Sequence, residues 1–432
     1  MFRVTNRLGC TQLCLSVTES SFYKPGLGKC QSSPFDQEFR TSHSRQIPGP
    51  VKAVVFTLAR SRRFFNLPST NDEFESRWLR NGLLMKLLQT LTQTPSVPGR
   101  EDRIRKVILD HVTAANLFDE ITVDAMGSLI GFRKARCGSG TPPAKKNRVM
   151  LAAHMDQIGF LVRHIDEAGY LRVNPVGGFD ARNLFARKVR VCTSSGDLAG
   201  IMNAAGKPIH IASEADKKKI PEVTEFFVDL GLSADQVLGQ VRIGDMIVLD
   251  GPFEEIGNSV VSQCLDNRIG CWAQIRALEN LKSHSCDIYA VWTVQEEVGL
   301  RGAQPAAFGI NPDIAVACDT TLCCKTPGVP DEDRVSVSGD GVCLHVMDGS
   351  MISDIGLIED FEMLAKSRDI KCQRAILPRG GQDGAVIQRS RSGVRTIALA
   401  CPVKYIHTVT EMSHKVDLDS YHRLLTAWLE VV

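Results

Sequence analysis

The chain has 432 residues, 43% hydrophobic and 23% charged, an ordinary globular composition with room for one large core or two of medium size. Its formal net charge of +2, with no basic stripe or long charge block, gives no electrostatic reason to expect nucleic acid or a membrane surface as a partner. No apolar stretch approaches the ~20 residues that span a bilayer.

Fourteen cysteines are spread along the chain, several inside apolar runs, as with Cys264, Cys271, Cys318 and Cys401. Reduced core thiols in a reducing compartment fit this better than a disulfide framework, and a cytoplasmic protein is expected. Residues 1–84 differ from the rest: before Asn71 they hold ten Lys or Arg against three acids. This segment reads as an organelle transit peptide, which would move the protein to an organelle, as a disordered extension, or as the product of a start assigned too early, with Met85 the real beginning.

In chain order, residues 83–91 have helical apolar spacing that stops near Pro95, and 98–102 form a turn into a second helix over 102–112. Residues 121–132 read as a hairpin around Met126-Gly127, and 138–146 as a polar loop. The run 149–153 is a buried strand ending at His154. After it the pattern changes: short β-like runs at 160–164, 170–173, 188–192 and 246–249, with a charged stretch at 212–238 expected to carry a helix or two. Residues 157–248 are thus expected to be a small β-rich domain inserted into an α/β parent of 85–156 and 249–432. The parent sheet resumes with apolar runs at 288–294, 314–317 and 394–400, and the fold expected is α/β with a mostly parallel sheet flanked by helices.

Five metal-competent side chains stand just past apolar runs: His154, Asp266, Glu297, Asp319 and His407. Ligands collect outside the carboxyl ends of parallel strands, so residues far apart in sequence can converge there. Each residue alone has an ordinary explanation: Asp266 could cap the helix that follows it, and a lone histidine is usually structural, as expected of His345, His414 and His422. Their joint occurrence at strand ends points instead to a two-metal hydrolase site. Asp156, two residues from His154, is placed to hydrogen-bond that imidazole and fix its tautomer. The adjacent acids Glu296 and Glu297 end a nearly continuous apolar strand, where a partner cation is expected. Their side chains diverge, so Glu297 can bind metal while Glu296 reaches the water.

The motifs HMDQIGF at 154–160, LDNRIGC at 265–271, TVQEEVGLRGA at 293–303, MDGSMI at 347–352, GGQDGA at 380–385 and KYIHT at 404–408 occur in an order that resembles the tetrahedral (TET-type) glutamyl and deblocking aminopeptidases. This family of dinuclear metallopeptidases includes proteins labelled endoglucanase or cellulase M. The resemblance runs from about residue 85 to the end. It implies an inserted PDZ-like dimerisation domain and assembly into a homo-oligomer, a hollow dodecamer. It also implies two divalent ions, zinc or cobalt, one bound by His154 and Asp319, the other by Glu297 and His407, with Asp266 bridging. Glu296 matches the general base and Asp156 the carboxylate behind the histidine. Gln157, Gln382 and the stretch 318–324 depart from the family pattern and bear on substrate preference. The function expected is removal of N-terminal residues from peptides, with a metal-bound water as nucleophile. The alternatives are a dizinc amidase or deacylase acting on small molecules, and a non-catalytic scaffold.

Overall fold

A computed structural model of the protein describes residues 82–137 and 147–432. The basic amino-terminal segment read as a transit peptide or extension, and the polar loop at 138–146, lie outside the described residues. Among the described residues no helix is long and apolar enough to cross a membrane.

Two helices, Gly82–Gln93 and Asp102–Ala114, open the described chain. Strands β1 (Glu120–Val123) and β2 (Leu129–Arg133) follow as an antiparallel hairpin. Its turn is closed by the Asp124 carboxylate, which accepts from the backbone N–H groups of Met126, Gly127 and Ser128, each at 2.9 Å. Strand β3 (Arg148–His154) is buried over almost its whole length.

The next six strands form a separate closed barrel: β4 (Gly159–Ile165), β5 (Leu171–Val176), β6 (Arg187–Thr193), β7 (Gly196–Ala204), β8 (Phe226–Asp229) and β9 (Met246–Leu249). They close in the order β4-β5-β8-β7-β6-β9, every pairing antiparallel. The resemblance implies a PDZ-like module in this stretch; what the structure contains is this six-stranded barrel. Phe160, Leu171, Val191, Met202, Phe226 and Ile247 point inward and make a core of its own. Strands β7 and β8 were not among the expected runs. Along β7 only Gly200 and Met202 are fully buried, so the strand shows no apolar run. The charged stretch carries two single 3-10 turns, Asp216–Lys218 and Val223–Glu225, and one short α-helix, Ala234–Gln240, begun by a reciprocal capping box between Ser233 and Gln236.

The chain returns to the parent sheet through β10 (Glu254–Ile256) and β11 (Ser259–Ser262), then the helix Leu265–Asn280. Strands β12 (Asp287–Thr293), β13 (Ile314–Leu322), β14 (Val342–Met347), β15 (Cys372–Ile376) and β16 (Arg395–Val403) complete the main sheet. Last come β17 (Glu411–His414), which joins β10 and β11 in a small sheet, and the helix Lys415–Leu429.

The main sheet has eight strands in the order β1-β2-β12-β3-β13-β16-β14-β15. Its four central strands, β12, β3, β13 and β16, are mutually parallel. Toward the edges the sheet is mixed: β2 is antiparallel to β12 and β14 to β16, while β15 pairs parallel with β14. The central strands are buried on both faces, which is why they read as unbroken apolar runs.

Alternation along these strands sends side chains to two layers. Val149, Leu151, Ala153, Val316 and Leu399 face a large core filled by the helix Leu265–Asn280, the helix Lys415–Leu429 and Ile355–Ser367. Met150, Ala152, Val291 and Ala315 face the short helices Ala303–Ile310 and Gly384–Gln388. The helix Leu265–Asn280 is buried nearly all round, between the sheet and its neighbouring helices.

One charged side chain is locked inside this packing. Arg268, fully buried, donates to the carbonyls of Leu91 and Thr94, to Ser96 Oγ and to Gln157 Oε1. It ties the segment after the first helix to the start of the long one. Replacing it with Met strands four acceptors, so Arg268→Met is expected to lower the unfolding free energy by about 2–4 kcal/mol, read from urea denaturation midpoints.

Candidate active site

The carboxyl ends of the central strands carry the site. His154 ends β3, and Asp319 lies late in β13. Two residues along a strand share a face, so both leave the sheet on the side of Ala152 and Ala317. Glu296 and Glu297 follow β12, and His407 sits in the loop between β16 and β17.

Asp266 is delivered by a local device that the sequence alone did not reveal. The helix Leu265–Asn280 begins with two non-helical residues, Asp266 and Asn267. Asn267 caps the regular turns: its Oδ1 accepts from the Gly270 N–H at 3.0 Å, and its Nδ2 donates to the Cys318 carbonyl at 2.8 Å. The Asp266 carboxylate is therefore released from capping and faces the cluster.

The loop carrying the glutamate pair is wound tightly, with positive φ at Gln295 and Leu300. Gly302 closes it by donating to the Val294 carbonyl at 3.0 Å. A Cβ on Gly302 would lie 2.5 Å from that oxygen, so a side chain cannot be accommodated there.

The distances bring all five predicted ligand candidates together. His154 Nε2 is 3.4 Å from Asp266 Oδ1, 3.8 Å from Asp319 Oδ1 and 3.9 Å from Glu296 Oε2. His407 Nε2 is 3.4 Å from Asp266 Oδ2 and 3.5 Å from Glu297 Oε1. Asp266 thus turns one oxygen to each imidazole. His154, Asp266 and Asp319 form one group of possible ligands, and Asp266, Glu297 and His407 a second; in each group the ligand atoms lie within 4.8 Å of one another.

Asp156 acts differently from the expected carboxylate–imidazole contact. His154 Nδ1 meets the backbone carbonyl of Asp156 at 3.0 Å, while its carboxylate oxygen is 3.7 Å away, beyond hydrogen-bond reach. The carboxylate instead accepts from the backbone N–H groups of Glu296 and Glu297, both at 3.1 Å. The tautomer is fixed nonetheless: with Nδ1–H donated to the carbonyl, Nε2 turns a lone pair toward Asp266 and Asp319.

Acceptors then face acceptors, and the electrostatics follow. Burial drives Glu297 up to about 8 and Glu296 well above the usual carboxylate range, and it raises Asp319 too. Burial pulls His407 down, yet contact with Asp266 and Glu297 carries it up to about 10. His154 rises in the same way against its burial, through Glu296, Asp156, Asp266 and Asp319. Asp266 alone is lowered: burial opposes this, and the two imidazoles win. The common direction is a cluster short of positive charge, which a proton or a metal ion can supply.

Asp266 Oδ1 is buried without a hydrogen-bond partner, an atom poised for a cation. Mixed nitrogen and oxygen donors suit zinc, cobalt or manganese. The residues present therefore fit two divalent ions sharing Asp266. The cluster opens on a cavity of about 580 Å³, within the size range of small-molecule sites. Gly178, just beyond β5 of the barrel, lines it too, and a Cβ there would lie 3.7 Å from His407 Nδ1. Another cavity of about 640 Å³, beside Gln304, Phe308 and Arg389, has no acid or histidine in its lining.

Several supporting residues were given no role by the sequence, although Asp383 falls within the motif at 380–385. Glu411 accepts from the Asp266 N–H at 2.9 Å through one oxygen and from the His407 N–H at 2.7 Å through the other. Glu101 accepts from the N–H groups of Gln295 at 3.1 Å and Gly99 at 2.8 Å. Asp383, pushed up to about 7 by burial, receives the Thr293 hydroxyl. Of the histidines expected to be structural, His414 caps the last helix, accepting from the Val416 N–H at 3.1 Å, and His422 packs edge-on against Trp272. His345 is different: both its ring nitrogens are buried without a partner, and it lines the cavity.

Residues 138–424 match the model of the M42 glutamyl aminopeptidases. The chain belongs to that family. It is therefore a hydrolase of peptide bonds. It is 34% identical to the lysyl aminopeptidase of Pyrococcus furiosus over 352 residues, 80% of this chain and 96% of that one. In structure it resembles an aminopeptidase from the archaeon Desulfurococcus kamchatkensis, with TM-score 0.76 and 32% identity over 82% of this chain and 96% of the other. The TET1 peptidase of Pyrococcus horikoshii, described as assembling into a tetrahedron or a large octahedral shell, matches with TM-score 0.70 and 30% identity over 81% of this chain and 100% of its own.

Glu411 offers a direct check on how the site is held. Glu411→Gln turns an amide N–H toward a backbone N–H, so affinity for zinc, measured by chelator competition, is expected to fall about 10–100-fold with circular dichroism unchanged. Unaltered affinity would remove Glu411 from any positioning role.

Proposed function

We propose that this chain is a dinuclear metal-dependent aminopeptidase that removes N-terminal residues from peptides. The observation that carries the reading is the sharing of Asp266 between two donor groups, one containing His154 and Asp319, the other Glu297 and His407. Zinc or cobalt would occupy both positions. Two such ions would lower the pKa of a shared water and polarise the scissile carbonyl.

The chain's own residues do the rest. Glu296 belongs to neither donor group, yet its carboxylate comes within 3.9 Å of His154 Nε2. It takes the proton of the attacking water and passes it to the departing amine. Asp156 holds the backbone of both glutamates, which fixes where Glu296 can reach. The carboxylates lining the cavity favour a substrate that presents a free α-ammonium group.

The barrel would take the place of the PDZ-like dimerisation domain that the resemblance implies, with residues 157–248 as the inserted module. Subunits would then assemble as a homo-oligomer, a reading supported by the related PhTET1 structure, which is described as a dodecamer.

The decisive variant is Glu296→Gln, assayed on aminoacyl amides with metal per chain measured in parallel. Turnover is expected to fall by about 10²–10⁴ while metal content stays at the parent value. Retained turnover would exclude Glu296 as the base. Parent activity confined to N-acylated amino acids would instead mark an amidase or deacylase.

A further inference from the structure

The cavity of about 640 Å³ lies away from the cation cluster, on the helices Ala303–Ile310 and Gly384–Gln388, which pack side by side. Ala303, Ala306, Ala307 and Ile387 turn toward the sheet, whereas Gln304, Phe308 and Arg389 are exposed and line the cavity on the solvent side of the pair. It shares no lining residue with the catalytic cavity, although Leu300 and Gln382, just ahead of the same two helices, line that one.

Its charge is one-sided. Residues 298–311 and 384–395, the chain in and around both helices, hold Arg301, Arg389, Arg391 and Arg395 and no acid. Arg395 is paired with Asp354, but Arg389 and Arg391 line the cavity and have no carboxylate partner among the described residues. The Nε of each is engaged by a backbone carbonyl, Arg389 by that of Ala385 at 2.9 Å and Arg391 by that of Phe308 at 2.6 Å. The Arg391 guanidinium also stands over the Phe308 ring, 4.0 Å from its centre. Both guanidinium groups are thus held in place in advance, with their Nη edges open. Like charges facing one cavity give it a positive potential that draws an anion.

An independent observation points to the same spot. Ser390, between the two arginines, is 7% exposed, and its hydroxyl is buried without a hydrogen-bond partner. Such a group is destabilising unless a ligand completes its bonding. Ser390 lines this cavity too, so an oxyanion there can accept from its hydroxyl and from both arginines. The remaining lining is largely apolar, made by Pro305, Val386 and the half-exposed ring of Phe308. A cation would meet two arginines, and a neutral apolar molecule would leave all the polar donors unserved.

We propose that this cavity is a binding site for a small organic oxyanion, a phosphate or carboxylate carried on a flat apolar body. Arg389, Arg391 and Ser390 donate to the oxygens, and Phe308, Pro305 and Val386 cover the body. A phosphomonoester suits the donors best, since guanidinium edges match its oxygens in pairs. The site is separate from the cation cluster and does not depend on the reaction catalysed there.

Calorimetry on the full-length chain tests this with phenyl phosphate, phenylacetate, inorganic phosphate and benzyl alcohol. Phenyl phosphate is expected to bind at least about tenfold more tightly than inorganic phosphate, because burying the ring adds to the charge contacts, and benzyl alcohol is expected not to bind. Arg389→Met should weaken phenyl phosphate at least about tenfold and Ser390→Ala at least about threefold, with aminoacyl amide hydrolysis at the parent rate. Arg391→Gln removes the other charge and carries the same expectation as Arg389→Met, should that variant fail to fold. Tighter binding of phenylacetate keeps the site and assigns it to carboxylates. An anion drawn to the cation cluster instead would be indifferent to these variants. Binding that they leave unchanged, equal binding of benzyl alcohol, no binding of either organic anion, or turnover lost together with binding overturns the proposal.

Discussion

A single carboxylate organises the site. Asp266 turns one oxygen to His154 and the other to His407, each at 3.4 Å, and both imidazoles look inward from different parts of the chain. Three further acids press into the same buried volume. Four carboxylates cannot all ionise in a low-dielectric interior unless positive charge joins them. The raised acids, the raised imidazoles and the unpartnered Oδ1 express the same shortage.

Around that cluster, a second ring of acids does not touch the inner ones through side chains at all. Asp156, Glu101 and Glu411 each accept two backbone N–H groups: Asp156 from Glu296 and Glu297, Glu411 from Asp266 and His407, and Glu101 from Gln295, next to the glutamate pair, and from Gly99. A carboxylate binding two amides fixes the path of a loop more firmly than a single hydrogen bond can. Loops are ordinarily the mobile part of a fold, and here the acids of the outer ring make two of them rigid supports. Arg268 serves the same end from beneath, bonding the carbonyls of Leu91 and Thr94 at the end of the first described helix from the root of the helix bearing Asp266.

Much of this was legible in the sequence, for physical reasons. Strands buried on both faces are apolar throughout, so His154, Asp319 and the glutamate pair stand out where the runs stop. The hairpin at Met126-Gly127 and the central parallel strands were readable in the same way. What escaped were features whose partners are backbone atoms or distant strands. Glu411 and Glu101 look like any surface acid until the amides they bind are known. Asn267 took over the capping task that Asp266 seemed suited for. Strands β7 and β8 are half exposed in a small barrel and lack the unbroken apolar run that marked their neighbours. His345 read as structural because its distinction lies in what it fails to bond, which no linear pattern records.

The place of Gly178 in the cavity wall has a bearing on how the barrel and the site are linked. Gly178, contributed by the insertion, lines the cavity beside the reacting groups, and a Cβ there would come within van der Waals range of the His407 ring, so the barrel is part of the wall and not an appendage. Tilting it by an ångström would crowd or uncover that ring.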